Sequence, residues 1–154
     1  MSNDIESRLA ELGIILPEVP APVANYVPFV IAGPLVFISG QITMWDGELK
    51  FLGKVGADLT LEQGQDAARL CAINLLAQAK AAAGSLERIK RCVKLTGFVN
   101  ADPGFTDHPK VINGASDLMV VVLGDNGRHA RAAVGVNSLP MGVAVEVDGV
   151  FELS

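Results

Sequence analysis

The segment from Thr60 to Gly84 constrains the fold of this chain more than any other part of it. Thr60-Leu61-Glu62-Gln63 is a capping box, in which a threonine and a glutamine three residues later satisfy free N–H groups at a helix start. This pattern predicts a helix over about Leu61 to Ala83 that ends at Gly84. One face of that helix carries mostly small residues, namely Gly64, Ala68, Cys71, Leu75 and Ala82. Such a face packs closely against a sheet, so a layered fold is expected.

The N-terminal segment has a pattern of its own. Residues 4–12 predict a short helix, with Asn3 as its cap and Gly13 at its end. Three prolines follow within Leu16 to Pro22, so this stretch is expected to be an extended connector. We interpret residues 1–22 as an N-terminal helix and connector of a single domain that spans residues 1–154, because a chain of this length typically forms one domain.

Strand and turn patterns occupy most of the remaining sequence. A strand over Tyr26 to Ala32 contains Pro28, which cannot donate a ladder hydrogen bond, so this strand is expected at a sheet edge or a bulge. The other predicted elements are a buried strand over Leu35 to Ile38 that ends at Ser39-Gly40-Gln41, a hairpin turn at Asp46-Gly47 with a strand over Leu49 to Leu52, a strand over Ile89 to Asn100, a helix over Asp107 to Leu123, and strands over Ala130 to Val136 and Val143 to Leu153. The order βββαβαββ indicates an α+β fold, with two helices on one face of a mostly antiparallel sheet.

The composition excludes several classes of protein. Half of the residues are apolar and 19% are charged, which excludes a disordered chain. The net charge is −5 and 5% of the residues are aromatic, which argues against a nucleic-acid partner. No apolar run approaches the roughly 18 residues of a membrane span, and acidic residues stand where a signal peptide would carry Lys or Arg. We therefore expect a cytoplasmic protein that acts on a small molecule without a membrane partner, and the apolar composition favours an oligomer.

Few residues of the chain are suited to holding a metal ion. Cys71, Cys92, His108 and His129 are not spaced as metal ligands, and the glycine clusters match no nucleotide-binding loop. No metal site and no cofactor are predicted. Both cysteines are interpreted as small buried residues.

Arg131 and Glu146 are charged residues within apolar strand patterns. If the last two strands form a simple hairpin through Leu139-Pro140, these two residues lie opposite one another on one face of the sheet. A charge in such a place needs a partner or access to solvent. The pair is therefore a structural ion pair, a pair of residues that face water on an uncovered sheet face, or part of a binding site.

Two stretches of the sequence form a more specific pattern. They are Leu35-Val36-Phe37-Ile38-Ser39-Gly40-Gln41, and the stretch from His129-Ala130-Arg131 through Leu139-Pro140 to Val145-Glu146-Val147. In these stretches the chain resembles the Rid (YjgF) family of reactive-intermediate deaminases, and the resemblance covers nearly all of the chain from Tyr26. It implies a chorismate-mutase-like fold with the element order given above. It also implies a homotrimer with a ligand cleft between subunits.

The same resemblance implies roles for individual residues. Arg131 matches an arginine that binds a substrate carboxylate, and Glu146 matches a glutamate near the reacting water. The other matching substrate-binding positions are Tyr26, Ser39, Gly40 and, from the second long helix, Asn113. In the family, such residues hydrolyse enamines and 2-imino acids to 2-keto acids and ammonia. The residue types suit this chemistry, because an arginine binds a carboxylate with two hydrogen bonds and a glutamate can orient a water molecule.

Two alternative functions stay open at this point. An endoribonuclease, a label that relatives often carry, would need general acid–base groups, which His129 or His108 could supply. A non-catalytic binder of small carboxylate metabolites would need Arg131 but not hydrolysis. His129 itself is interpreted as a solvated loop residue. Many relatives carry a cysteine two residues after the arginine, where this chain has Ala133, so no reactive thiol is expected there.

Overall fold

The computed structural model describes residues 4–19 and 25–154. Within these residues, the helices and strands alternate much as the sequence predicts. In chain order they are α1 (Ile5–Glu11), β1 (Phe29–Ala32), β2 (Leu35–Gln41), β3 (Met44–Trp45), β4 (Glu48–Leu49), α2 (Leu61–Ala83), β5 (Ile89–Asn100), α3 (His108–Leu123), β6 (Ala130–Val136) and β7 (Val145–Leu153).

The main sheet has five strands in the order β1-β2-β7-β5-β6. Neighbouring strands are antiparallel except β5 and β6, which are parallel. β1 lies at an edge, as Pro28 predicted, and β7 lies at the centre. These features confirm the predicted α+β fold. The predicted strand over residues 49–52 is not part of this sheet, because Leu49 pairs with Met44 in the separate β3–β4 hairpin.

The sheet has one covered and one uncovered face. Alternate residues of β7 from Val145 to Leu153 are buried beneath the helices, while the residues between them are half-buried on the other side. β2 alternates in the same way, since Val36 and Ile38 are buried whereas Phe37 is 46% exposed. The predicted buried strand over Leu35 to Ile38 is therefore buried on one side only, because α2 and α3 cover only one face of the sheet. We call the other side the open face; its apolar residues include Val30, Phe37, Phe98, Val134 and Val150.

Local signals determine where the long helix begins and ends. Thr60 Oγ1 accepts a hydrogen bond from the Gln63 N–H at 3.1 Å, and Gln63 Oε1 accepts one from the Thr60 N–H at 2.8 Å. α2 ends at Gly84, whose positive φ of 82° is one that a glycine adopts without strain. The capping box and the helix end are therefore confirmed. Among the described residues, no helix combines the length and the apolar character that crossing a membrane requires.

The N-terminal helix is capped one residue later than predicted. Asp4, rather than Asn3, is the cap, and its Oδ1 accepts a hydrogen bond from the Ser7 N–H at 2.6 Å. Asn3 lies outside the described residues. Arg8 ties α1 to α3 by donating from Nη1 to the Val122 carbonyl at 3.0 Å. Residues 16–19 of the predicted connector have no regular structure, and residues 20–22 lie outside the described ranges.

Candidate active site

One part of the candidate site lies where β2 bulges against β7. Ile38 pairs with Gly149 and Gln41 with Val147, so Ser39 and Gly40 together face a single residue of β7. The Glu146 carboxylate lies over Gly40 on the open face. A Cβ atom on residue 40 would collide with Glu146 Oε2 and lie 2.9 Å from Cδ. Glycine is therefore required at position 40 for the carboxylate to lie where it does.

Burial and a like charge both act on the Glu146 carboxyl group. Partial burial raises its pKa above the ordinary 4.5, and the negative charge of Asp148 raises it further. Burial also raises the pKa of Asp148, although a hydrogen bond from Thr96 and the charge of Lys94 act in the opposite direction. Glu146 is consequently a stronger base than an ordinary glutamate, which suits proton transfer from water.

Tyr26, Ser39 and Gly40 line a single cleft of about 970 Å³ at the β1–β2 edge of the sheet. Ser39 donates from Oγ to the Val27 carbonyl at 2.8 Å, which fixes the start of β1 against the end of β2. Tyr26 is 64% exposed at the mouth of this cleft. The structure thus brings three of the six predicted site residues into this cleft, Tyr26, Ser39 and Gly40, while Glu146 lies over Gly40 on the open face.

Arg131 and Asn113 lie together at the opposite edge of the sheet. Arg131, on β6, donates from Nη1 to Asn113 Oδ1 at 2.8 Å and to Ser116 Oγ at 3.1 Å, both on α3. No hydrogen bond within the described chain engages its Nη2 or Nε, and the side chain is exposed. The guanidinium is therefore anchored at one nitrogen while two others stay free for a ligand.

His129 supports this arrangement through Ser116. His129 Nδ1 lies 2.6 Å from the Gly127 carbonyl, which can only accept, so Nδ1 carries the proton. Nε2 therefore accepts from the Ser116 hydroxyl, 2.9 Å away, which leaves a lone pair of that hydroxyl for Arg131. The prediction of a solvated His129 was wrong, because the ring is half-buried and both of its nitrogens are bonded. Sequence reasoning missed Ser116, although it lies one helical turn from Asn113.

The predicted hairpin between the last two strands was also wrong. β6 pairs in parallel with β5, so Arg131 lies opposite Leu95, and β5 separates β6 from β7. The Arg131 side chain reaches α3 on the covered side, whereas Glu146 lies on the open face. Arg131 and Gly40 are on strands three spacings apart, roughly 14 Å. Within one chain, Arg131 and Glu146 are thus not partners.

The cysteines and histidines do not form a metal centre in the described part of the chain, where no three potential ligands cluster. Cys71 and Cys92 are fully buried and unpaired, which confirms their interpretation as small core residues. Burial raises the pKa of both thiols, that of Cys92 to about 12. Neither thiol is therefore a nucleophile at neutral pH.

Comparison with known proteins identifies the family. The profile described as "YjgF/chorismate mutase-like, putative endoribonuclease" matches residues 6–151. The chain belongs to the YjgF/chorismate mutase-like family. The resemblance expected from the sequence, and the chorismate-mutase-like fold with it, are confirmed.

Several relatives of this YjgF-family chain match it over nearly their whole length. It is 49% identical to "Protein TCP17" of Trypanosoma cruzi over 154 residues, which is 99% of this chain and 96% of that protein. A crystal structure of a protein of unknown function from Agrobacterium tumefaciens is 51% identical, with a TM-score of 0.91 over 97% of this chain and 92% of that one. A "putative endoribonuclease" from Shewanella oneidensis is 39% identical, with a TM-score of 0.93 over 97% and 99%. These relatives share nearly all of the chain, so the N-terminal segment is common to them.

Proposed function

We propose that this chain hydrolyses reactive 2-imino and enamine acids to 2-keto acids and ammonia, in a cleft between subunits. The observation that carries the proposal is the anchoring of Arg131. Asn113 and Ser116 hold one nitrogen of its guanidinium, while Nη2 and Nε are free to bind a carboxylate with two hydrogen bonds. A carboxylate is the group that every 2-imino acid and every 2-keto acid carries.

The second half of the proposed site must come from a neighbouring subunit. Arg131 lies on the edge strand β6 and its side chain reaches the covered side, whereas Glu146 lies on the open face of the central strand β7, so one small ligand cannot touch both in one chain. A site that pairs Arg131 and Asn113 of one subunit with Tyr26, Gly40 and Glu146 of the next would reunite them. Apolar side chains on the open face supply a surface for such contacts, with Phe37 46% and Val134 43% exposed. We accordingly propose the homotrimer that the family resemblance implies.

The chemistry assigned to Glu146 is proton transfer to and from one water molecule. Glu146 takes a proton as the water oxygen bonds to the imine carbon, and the imine nitrogen is protonated to give a carbinolamine. The carbinolamine hydroxyl then gives up its proton while the nitrogen gains one, the C–N bond breaks, ammonia leaves, and the carbon keeps the oxygen as the 2-keto group. An enamine enters the same route after it is protonated at carbon. One water is consumed and one ammonia released in each turnover.

Features of both histidines favour this proposal over RNA cleavage, the activity named in the family description. The two ring nitrogens of His129 are bonded to Gly127 and Ser116. His108 packs edge-on against the Phe105 ring and over Gly135. The chain has no other histidine, and its net charge of −5 does not favour a phosphate backbone. The two buried thiols suit the cytoplasmic setting that remains part of the proposal.

Trapping of imines tests the proposed reaction. Freshly generated 2-imino acids are mixed with semicarbazide, which captures the imine that has not been hydrolysed. The parent protein should suppress formation of the semicarbazone, and Glu146→Gln should not. Binding of 2-ketobutyrate without any effect on trapping would favour a non-catalytic carboxylate binder instead.

Light scattering tests the proposed assembly. The parent should have the mass of a trimer, and Phe37→Glu should dissociate it by placing a charge on the open face. Val121→Glu is the matched control, because Val121 is 52% exposed on α3, away from that face. A parent that is a stable monomer at micromolar concentration would remove the inter-subunit site.

A further inference from the structure

The cleft at the β1–β2 edge extends well beyond the residues assigned above. From Tyr26 and Gly40 it continues between residues 15–19 and the β3–β4 hairpin, with α2 as its floor. Its volume of about 970 Å³ far exceeds what the reacting atoms of a 2-imino acid occupy. The additional space must be accounted for by some other part of a ligand.

The wall formed by the hairpin is held in place by α2. Asn74 donates from Nδ2 to the carbonyls of Ile42 and Met44, at 3.1 Å and 3.0 Å. The buried Thr43 donates from Oγ1 to the Lys50 carbonyl and closes the base of the hairpin. This wall of the cleft is therefore preformed, since hydrogen bonds from α2 and at the base of the hairpin fix it.

Gln78 leaves an unused hydrogen-bond acceptor beside this cleft. It follows Asn74 by one helical turn, lines the cleft and is 6% exposed. Its Oε1 atom is buried and has no hydrogen-bond partner. A buried oxygen without a partner destabilises the fold, so its presence at a cleft calls for an explanation. A ligand that brings an N–H or O–H group to this oxygen supplies one.

The charge of the lining restricts the ligand further. The described lining residues include two carboxylates, Glu18 and Asp46, but no Lys, Arg or His. Apolar side chains such as Leu16, Met44 and Trp45 make up much of the remainder. An anionic group would be repelled here and would find no cation to bind among these residues of the chain.

We infer that this cleft binds the side chain of the substrate, and that it selects an apolar side chain with a neutral or cationic hydrogen-bond donor near its end. Gln78 is the residue that recognises the donor. The inference rests on the proposed function for the identity of the substrate, but the selectivity of the cleft is a property of these residues alone. Acidic side chains are excluded by Glu18 and Asp46.

Three small probes of one shape test the cleft without any catalytic assay. Benzamide carries an N–H donor, acetophenone has a methyl group in its place, and benzoate carries a negative charge. Trp45 is the sole tryptophan of the chain and lines the cleft, so its indole N–H resonance responds to binding there. Trp45 also lines a neighbouring pocket, and the Gln78→Met variant below distinguishes the two. Benzamide should shift this resonance saturably and bind about tenfold more tightly than acetophenone, because only benzamide can donate to Gln78. Benzoate is tested in the Arg131→Ala variant, because Arg131 of a neighbouring subunit would bind its carboxylate, and there it should cause no shift.

Gln78→Met removes the acceptor while keeping the size of the side chain. In this variant benzamide and acetophenone should bind equally. Gln65→Met is the matched control, since Gln65 lies on the same helix outside the cleft and donates to the Lys110 carbonyl; it should keep the parent's tenfold preference. Equal binding of benzamide and acetophenone by the parent, tighter binding of benzoate than of benzamide by the Arg131→Ala variant, or no shift by any probe would each overturn the inference.

Hydrolysis of two imines connects the cleft to the substrate. The imine of tyrosine, with an O–H donor on an apolar ring, should have a higher kcat/KM than the imine of glutamate, and Gln78→Met should reduce the difference. If the probes bind as expected but neither imine is hydrolysed, the proposed function fails and the selectivity of the cleft stands. If imines are hydrolysed but the probes do not bind, the inference fails and the proposed function stands. A glutamate imine hydrolysed faster than the tyrosine imine would also overturn it.

Discussion

Gly40→Ala should displace the Glu146 carboxylate and little else. Position 40 is exposed and does not need a positive φ, so alanine is compatible with the backbone. The new Cβ would lie 2.9 Å from Glu146 Cδ, whereas non-bonded carbon atoms lie about 3.5–4.0 Å apart. The carboxyl group must therefore retreat by roughly 1 Å. A catalytic group misplaced by that distance can cost about a hundredfold in rate.

The expected result is a fall of about a hundredfold in kcat for imine hydrolysis with nearly unchanged binding of 2-ketobutyrate. The half-buried Glu146 side chain can rotate away, so the free energy of unfolding should fall by no more than about 1–3 kcal/mol. Gly104→Ala is the matched control, because the nearest atom to its new Cβ, Asp102 Oδ2, is 3.6 Å away. The control should retain both activity and stability.

A double-mutant cycle isolates the steric cause. If Gly40 acts only by making room for the carboxylate, then Gly40→Ala should cost no stability in a Glu146→Ala background. Urea unfolding of the four proteins measures this term. An equal loss of stability in both backgrounds would refute the steric argument, and a Gly40→Ala variant with the parent's kcat would refute the role of Glu146 at this position.

Three further predictions concern the charged groups of the site. Arg131→Lys should weaken binding of 2-ketobutyrate by roughly ten- to a hundredfold in calorimetry, because lysine cannot donate two parallel hydrogen bonds to a carboxylate. Glu146→Gln should keep most of the affinity and lose turnover. If both variants match the parent, the two residues are structural. The rate of imine hydrolysis should fall as the pH drops through the raised pKa of Glu146, since the base must be deprotonated. Asp148→Asn should move this acidic side of the pH–rate profile to lower pH, because it removes the negative charge that repels the Glu146 carboxylate. A profile that does not move would exclude Glu146 as the titrating base. Ser116→Ala should raise KM about fivefold with little change in kcat, because Arg131 loses one of the two acceptors that orient it. Ser116→Thr should restore KM. An alanine variant with the parent's KM would show that Asn113 alone is enough to orient Arg131.

The elements of the fold were predictable because their signals are local. The capping box at Thr60, the glycine at residue 84 and the Asp46-Gly47 turn act within a few residues, and each has the predicted conformation. Such signals depend on neighbouring residues only, so they can be read without knowledge of the tertiary structure.

The arrangement of the site depends on contacts that are distant in sequence. β5, not β7, is the partner of β6, and this choice depends on how the whole sheet is covered rather than on the loop between β6 and β7. The sequence around His129 predicts a solvated loop, yet Ser116 on α3 provides its hydrogen-bond partner. The burial of Gln78 beside a cleft likewise depends on residues distant in sequence, namely the connector some sixty residues earlier. No local pattern marks these three contacts.

The central place of β7 has a consequence for how the chain folds. β7 is the last strand in sequence, yet it joins β2 to β5, and Val36 pairs with Phe151 across most of the chain. Until residues 145–153 have been synthesised, β1–β2 and β5–α3–β6 are two fragments whose inner strand edges are both unpaired, and such edges are prone to pair with other chains. The loop closure that joins them is long, so folding should be slow for a domain of this size. Aggregation during synthesis should therefore be governed by how quickly the final strand becomes available.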